Sequence, residues 1–121
     1  MKYFTNEEIT CKCNCGSNWM SDELKLKLDE LREEAGIPIT LTSACRCRDH
    51  NSNEGGKDDS AHISEEYNPC EAVDIETIYS RNRYKILNTA IRIGFHRIGI
   101  AKTFIHLDID KTKDEEVVWL Y

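Results

Sequence analysis

The sequence lacks the features that mark several large classes of protein. No stretch is apolar enough for a membrane-spanning helix, which needs about 20 predominantly apolar residues. The opening residues, MKYFTNEE, lack the apolar region of a signal peptide, so we expect synthesis in a cytoplasm. Lysine and arginine form no run, and the net charge of −6 argues against nucleic acid as the main partner. We therefore expect a soluble protein with no membrane span and no nucleic-acid partner.

The length of 121 residues allows one compact domain with one hydrophobic core and one cleft. We expect this domain to span residues 1–121 and to be a monomer. Residues 1–20 are rich in cysteine and in turn-forming residues. They predict a strap or lid over the domain rather than a part of its core.

Six cysteines are more than a reduced cytosolic domain of this length usually carries. Their C-x-C spacing differs from the C-x-x-C of structural zinc ribbons, which disfavours a zinc site built from four cysteines. A disulfide between the N-terminal segment and the second group is the favoured interpretation, and free thiols are the alternative. The cysteines are Cys11, Cys13 and Cys15, then Cys45 and Cys47, and Cys70 alone.

Apolar residues at helical spacing predict two helices. One covers 22–35, where Ser21 provides an N-cap and Gly36 ends the helix. The other covers 80–93 and ends before Gly94. The expected buried stripes are Leu24, Leu28, Leu31 and Ala35 in the first helix, and Tyr84, Leu87 and Ile91 in the second.

Alternating and β-branched segments predict the strands of a small sheet. Together with the helices, they predict an α+β fold with a mainly antiparallel sheet. We expect both helices to pack on one face of this sheet and a cleft to lie on the other. The predicted strands cover 39–43, 72–76, 104–110 and 117–121, with a short strand or turn over 96–100.

Polar residues share one face of two predicted strands. In the segment 104–110, the aliphatic residues point to one side, and His106, Asp108 and Asp110 point to the other. Asp74 lies opposite the aliphatic face of its own strand in the same way. Burying carboxylates and a histidine without partners is costly. This polar face must therefore meet water, cations or a metal ion.

His62, Asp74 and His106 form a candidate metal-binding set. Two imidazoles and one carboxylate are what a catalytic zinc ion uses when its fourth position stays open. Asp108 lies two positions after His106 and is a candidate proton acceptor. The long polar segment 45–69 supports a site here, because long loops in compact domains are usually functional.

Four motifs in order resemble a known family. They are Leu41–Asn51 (LTSACRCRDHN), Gly55–His62 (GGKDDSAH), Ala72–Asp74 (AVD) and Phe104–Asp108 (FIHLD). In these motifs the chain resembles the zinc D-alanyl-D-alanine carboxypeptidases and related murein peptidases, which share the hedgehog/DD-peptidase fold. The resemblance extends from about Leu24 to the C-terminus.

The resemblance implies a role for each matching residue. It makes His62, Asp74 and His106 the ligands of a Zn²⁺ cofactor. It implies that Arg46 binds a carboxylate of the substrate, a role that suits its planar guanidinium. It also implies that Ser60 contacts the substrate backbone or orients His62. The implied substrate is a peptidoglycan stem peptide, cleaved as by a D-Ala-D-Ala carboxypeptidase or an L-Ala-D-Glu endopeptidase.

Three positions depart from the family pattern. The segment between His62 and Asp74 is about five residues longer than the family's, an insertion that a loop absorbs at small entropic cost. The glycine before A-x-D is replaced by Cys70, which is a bystander, a disulfide partner or a soft ligand near the zinc.

The third departure concerns the general base. The acidic residue of the family's E-x-x-H is replaced by Thr103. Asp108 is the expected substitute, and the alternative is that it only orients His106. The weaker candidates for a base are Glu71, Glu76, His50 and His96.

Three hypotheses of function follow. The favoured one is a zinc peptidase that degrades the cell wall, similar to the small lysins that phages encode. The second is a non-catalytic zinc-binding or wall-binding module on the same fold, which the departures favour. The third is a structural protein held together by disulfides, with no metal on the polar face.

Overall fold

The computed structural model describes residues 1–121 as one five-stranded sheet with helices around it. The predicted α+β class is confirmed. The strands are β1 Leu41–Ser43, β2 Ala72–Glu76, β3 Arg97–Ile100, β4 Phe104–Asp108 and β5 Val117–Leu120. The helices are α1 Asn6–Ile9, α2 Asp22–Ala35, α3 Arg48–Asn53 and α4 Ser80–Ile93.

The sheet has the strand order β1-β2-β4-β3-β5. All neighbouring strands are antiparallel except β3 and β5, which are parallel, so the mainly antiparallel prediction is confirmed. In the β2–β4 register, Asp74 pairs with His106 and Ala72 pairs with Asp108. Paired residues in neighbouring strands project to the same face. This register therefore brings the predicted polar residues of both strands together.

Helix α2 has the predicted bounds and the predicted caps. The Leu24 amide donates to the Ser21 hydroxyl at 3.2 Å, and Gly36 ends the helix in the left-handed region at φ 67°. Leu24, Leu28 and Leu31 are fully buried in the core, whereas Ala35 is half-buried. The apolar period of this segment therefore predicted its buried face correctly.

Helix α4 has the predicted bounds, but its predicted stripe is only partly right: Leu87 packs half-buried against the core, and the other two residues do not. Tyr84 and Ile91 are 70% and 55% exposed, whereas the buried residues are Ile86, Thr89 and Ala90. The apolar pattern passed over Thr89 and Ala90, which carry little or no apolar signal. The helix instead turns the face with Ile86, Thr89 and Ala90 toward the core and packs against α2.

The N-terminal segment belongs partly to the core, which corrects its prediction as a strap alone. Phe4, Ile9 and Met20 are buried in the same cluster as the leucines of α2. Helix α1 is one turn long, and a capping box between Thr5 and Glu8 stabilises it. So short a helix has no periodic stripe that a sequence pattern can show. No helix in the structure is both long and apolar enough to cross a membrane.

The extra residues before Asp74 fold against the N-terminal segment. The Ser17 hydroxyl donates to the Ser64 carbonyl, and the Ser64 hydroxyl donates to the Trp19 carbonyl, both at 2.9 Å. Glu65 and Asn68 close the turn through backbone hydrogen bonds in both directions. The insertion is therefore an ordered loop, and its anchor is the segment that precedes α2.

Candidate active site

His62, Asp74 and His106 converge beside the sheet and form what we call the histidine cluster. One ligand atom from each lies within 4.8 Å of the others, and all three residues are buried. Asp74 and His106 are neighbours on β2 and β4, and His62 comes from the loop before β2. The extra residues between His62 and Asp74 therefore do not prevent the three predicted metal ligands from coming together.

The protonation of His62 follows from its surroundings. Its Nδ1 lies 2.7 Å from the carbonyl oxygen of Ala44, which can only accept, so Nδ1 carries a proton. Burial lowers the pKa of His62, which favours the neutral ring. Its Nε2 then offers a lone pair and faces the Asp74 Oδ1 at 3.2 Å.

His106 is held from both sides. Its Nδ1 lies 2.9 Å from Asp74 Oδ1, and its Nε2 donates to Asp108 Oδ2 at 2.7 Å. Burial works against the charged ring, but the hydrogen bonds to Asp108 and Asp74 outweigh it and raise the pKa of His106. Burial likewise disfavours the Asp74 anion, yet the hydrogen bond from His106 holds the pKa of Asp74 well below its usual value.

These contacts fit a bound cation. A neutral His62 turns its Nε2 lone pair toward a carboxylate oxygen, and two electron-rich atoms at 3.2 Å repel unless a cation or proton lies between them. The ligand type, two imidazoles and a carboxylate, is that of catalytic zinc sites. The opposite ring nitrogens are fixed by Ala44 and Asp108, as the outer partners of zinc-bound histidines usually are.

Asp108 has an environment that differs from that of a proton acceptor. It is only 2% exposed. Its Oδ2 accepts from His106, and its Oδ1 accepts from Arg97 Nε at 2.8 Å and from the Asp110 amide at 3.1 Å. Asp108 lines the cavity, but both of its oxygens already accept hydrogen bonds from protein donors. The geometry therefore favours the alternative role, in which Asp108 orients His106.

A cavity of about 1170 Å³ lies over the histidine cluster. Only five of its 23 lining residues are hydrophobic, so it suits a polar ligand. Among the weaker candidates for a base, His50 lines this cavity, and Glu71, Glu76 and His96 do not.

Arg46 lies in the wall of the cavity beside the cluster. Its guanidinium donates to Ser43 Oγ at 2.8 Å, Asn51 Oδ1 at 3.4 Å and Asp74 Oδ2 at 3.4 Å. These contacts use three of the five N–H donors of an arginine. Two donors stay available for a carboxylate. Ser60 also lines the cavity, and its hydroxyl accepts from the His62 amide at 3.2 Å.

Sequence reasoning missed the aromatic wall of the site. Trp119 of β5 lies with its ring centroid 5.4 Å from that of His106 and 5.1 Å from the Arg97 guanidinium carbon. A Cβ on Gly99 would come within 2.6 Å of the Trp119 indole and the Tyr121 ring. Only glycine therefore lets both rings lie over β3. The pairing of β3 with β5, which creates this wall, leaves no local signal in the sequence.

The cysteines form no disulfide, which corrects the favoured interpretation; all six are free. Cys70 is fully buried and donates to the Ala72 carbonyl at 3.2 Å, so it is a core residue rather than a ligand. Cys11 and Cys13 do approach Cys47, at Sγ–Sγ distances of 3.9 Å and 3.6 Å. The expected contact between the two cysteine groups therefore exists without a covalent bond.

The comparisons with known proteins agree with this geometry. The model of the family described as Peptidase M15 matches residues 2–108, which include all three residues of the histidine cluster, Arg46 and Asp108. The match begins before α1, so it also includes the N-terminal segment that the resemblance had left out. A search of curated proteins finds no match. The chain belongs to the peptidase M15 family of zinc-dependent metallopeptidases, and its histidine cluster has the residues to hold the metal ion.

Proposed function

We propose that this chain hydrolyses a peptide bond in the stem peptides of peptidoglycan. The observation that carries the proposal is one juxtaposition. The histidine cluster lies at a large polar cavity, and Arg46, with two unused N–H donors, lies in the wall of that cavity. Stem peptides are short, polar and rich in carboxylates, which matches both the volume and the lining.

Some residues of the site bind the metal ion, and others bind the substrate. His62, Asp74 and His106 hold the zinc ion. When bound, zinc polarises a carbonyl group and lowers the pKa of water. Asp108 keeps the proton of His106 on Nε2 and so presents Nδ1 toward Asp74, while Arg97 fixes the position of Asp108. The Ala44 carbonyl accepts a hydrogen bond from His62 Nδ1 and so presents His62 Nε2 toward Asp74.

Arg46 orients the substrate through a carboxylate. The C-terminal D-Ala of a stem peptide offers its terminal carboxylate, and D-Glu offers the carboxylate that is not used in the peptide chain. A guanidinium pairs with a carboxylate in a fixed planar geometry, which places the neighbouring peptide bond. Both the D-Ala-D-Ala carboxypeptidase and the L-Ala-D-Glu endopeptidase type are compatible with this contact.

A second candidate function is a non-catalytic zinc-binding module that binds the cell wall. Two observations favour it: Thr103 replaces the family's acidic residue, and Asp108 is enclosed by three donors. Such a module would bind the same substrate without cleaving it.

Mass spectrometry of purified peptidoglycan after incubation with the protein separates the two functions. The peptidase releases D-Ala or stem-peptide fragments, whereas the module sediments with the wall and releases nothing. The control variant is Asp58→Asn. Asp58 is exposed and lies outside the cavity lining, so this variant should keep the activity of the parent chain.

A further inference from the structure

The N-terminal segment and α3 bring four cysteines together at a point outside the histidine cluster. These residues, the cysteine cluster, are Cys11, Cys13, Cys15 and Cys47. Their sulfur atoms all lie within 4.8 Å of one another. We propose that this cluster is a second metal site, in which four thiolates hold a structural zinc ion.

The spacing of the sulfurs matches a tetrahedral site. The Sγ–Sγ distances are 3.4 Å for Cys11–Cys13, 3.6 Å for Cys13–Cys47 and 3.9 Å for Cys11–Cys47. Zinc–sulfur bonds of about 2.3 Å in a tetrahedron place neighbouring sulfurs about 3.8 Å apart. These three distances, with the Cys15 sulfur within 4.8 Å of each of the others, are compatible with four sulfurs around one zinc ion.

Backbone amides point at the sulfurs. Cys47 N–H donates to Cys11 Sγ, Ser17 N–H to Cys15 Sγ and His50 N–H to Cys47 Sγ, each at 3.4 Å. A neutral thiol is a weak acceptor, whereas hydrogen bonds to a charged acceptor are about twice as strong. Three such bonds to one cluster suit thiolates, and thiolates packed this closely require a cation.

The backbone of the N-terminal segment is shaped around this point. Asn14, between Cys13 and Cys15, and Gly16, directly after Cys15, both adopt positive φ, at 68° and 83°, which curls the chain around the cysteines. Cys11 is also anchored by its amide, which donates to the Ser17 carbonyl at 2.8 Å. The C-x-C-x-C segment therefore makes a tight loop, to which Cys47 adds the fourth ligand from the N-cap of α3.

The position of the cluster links the metal to the cavity. Cys47 directly follows Arg46, and α3 carries Asn51, which accepts from the Arg46 guanidinium. Lys12, between two of the cysteines, lines the cavity. A zinc ion here fixes the N-terminal segment to the loop that holds Arg46. It performs a structural role, because four protein ligands leave no open position.

Metal analysis of the purified native protein tests the site by counting zinc. We expect about two zinc ions per chain, one per cluster. Cys15→Ser and Cys47→Ser should each lower the count to about one, and His62→Ala should lower it to about one independently. Cys70→Ala, a buried cysteine outside the cluster, should leave the count unchanged. A count of about one that falls to zero in His62→Ala would overturn the proposal.

Cobalt substitution tests the ligands without relying on a variant that folds. With Co²⁺ in place of zinc, the parent chain should show intense sulfur-to-cobalt charge-transfer absorption and the d–d bands of tetrahedral cobalt. Absence of sulfur-to-cobalt absorption, iron in place of the second zinc, or a thiol titration showing Cys11 or Cys13 in a disulfide would each overturn the assignment.

Discussion

The histidine cluster and the cysteine cluster both adjoin Arg46, but they differ in burial, in ligand chemistry and in origin. The histidine cluster is buried and is built on two paired strands, with each outer ring nitrogen fixed by another residue. The cysteine cluster lies nearer the surface, with Cys13 and Cys15 exposed, and is built from a curled loop and a helix end. The histidine cluster has three ligands and an adjoining cavity. The cysteine cluster has four ligands, which fill every position of a tetrahedral zinc ion.

This difference distinguishes a catalytic metal site from a structural one. A three-ligand site leaves a position for a reactant, and a four-ligand site does not. Removing a ligand should therefore abolish activity at the histidine cluster and loosen structure at the cysteine cluster.

Loss of a ligand from the histidine cluster should have the largest effect. His62→Ala removes Nε2 and should lower the rate of stem-peptide release by more than the 10–100-fold typical of altered outer partners. The fragment yield from peptidoglycan and the zinc content of the same sample measure this. A variant that loses this zinc and keeps the parent rate would contradict the assignment.

Asp108 should affect zinc binding more than chemistry. Asp108→Ala leaves His106 Nε2 without its partner and should weaken zinc binding by about 10–100-fold, and Asp108→Asn should weaken it less because its amide oxygen still accepts. A competition titration against a zinc chelator measures both affinities. If Asp108→Asn bound zinc as tightly as the parent chain but lost activity, Asp108 would be the proton acceptor.

Arg46 should act on the substrate. Arg46→Lys keeps the charge but loses the planar pair of donors, so we expect KM to rise by about tenfold, near the lower end of the 1.5–3 kcal/mol of charged hydrogen bonds. The control is Arg48→Lys, whose side chain pairs with Glu65 on the surface outside the cavity lining. An equal change of KM in both variants would rule out a specific contact.

Loss of a ligand from the cysteine cluster should have the smallest effect, which is on stability rather than on activity. With zinc at about tenfold excess over Kd, the bound ion contributes about 1.4 kcal/mol to the free energy of unfolding. Cys15→Ser should therefore lower Tm by roughly 5 °C in zinc, and by little in chelator. Asn18→Ser, an exposed change in the same segment, serves as the control. Equal Tm shifts with and without zinc would show that Cys15→Ser destabilises the protein without any loss of bound zinc.

The sequence predicted the histidine cluster because its signals are local. Alternation in β2 and β4 placed Asp74 and His106 on the face opposite the aliphatic residues, and strand pairing brought them together. The bounds of α2 and α4 were predictable in the same way, from caps and terminal glycines.

The missed features depend on contacts that sequence spacing does not record. The role of Asp108 depends on Arg97, which reaches it only through the β3–β4 register. The cysteine cluster takes its fourth ligand from Cys47, far along the chain from Cys15, and its C-x-C pattern differs from that of the common zinc ribbons. The buried face of α4 includes Thr89, which an apolar pattern passes over.

Release of stem-peptide fragments from purified peptidoglycan, followed by mass spectrometry, is the most direct measurement of the proposed activity. The parent chain should release D-Ala or stem-peptide fragments. His106→Ala should release none and still retain the zinc of the cysteine cluster. Fragments from both proteins in equal yield, or from neither while the parent chain holds its full zinc, would contradict a peptidase centred on the histidine cluster.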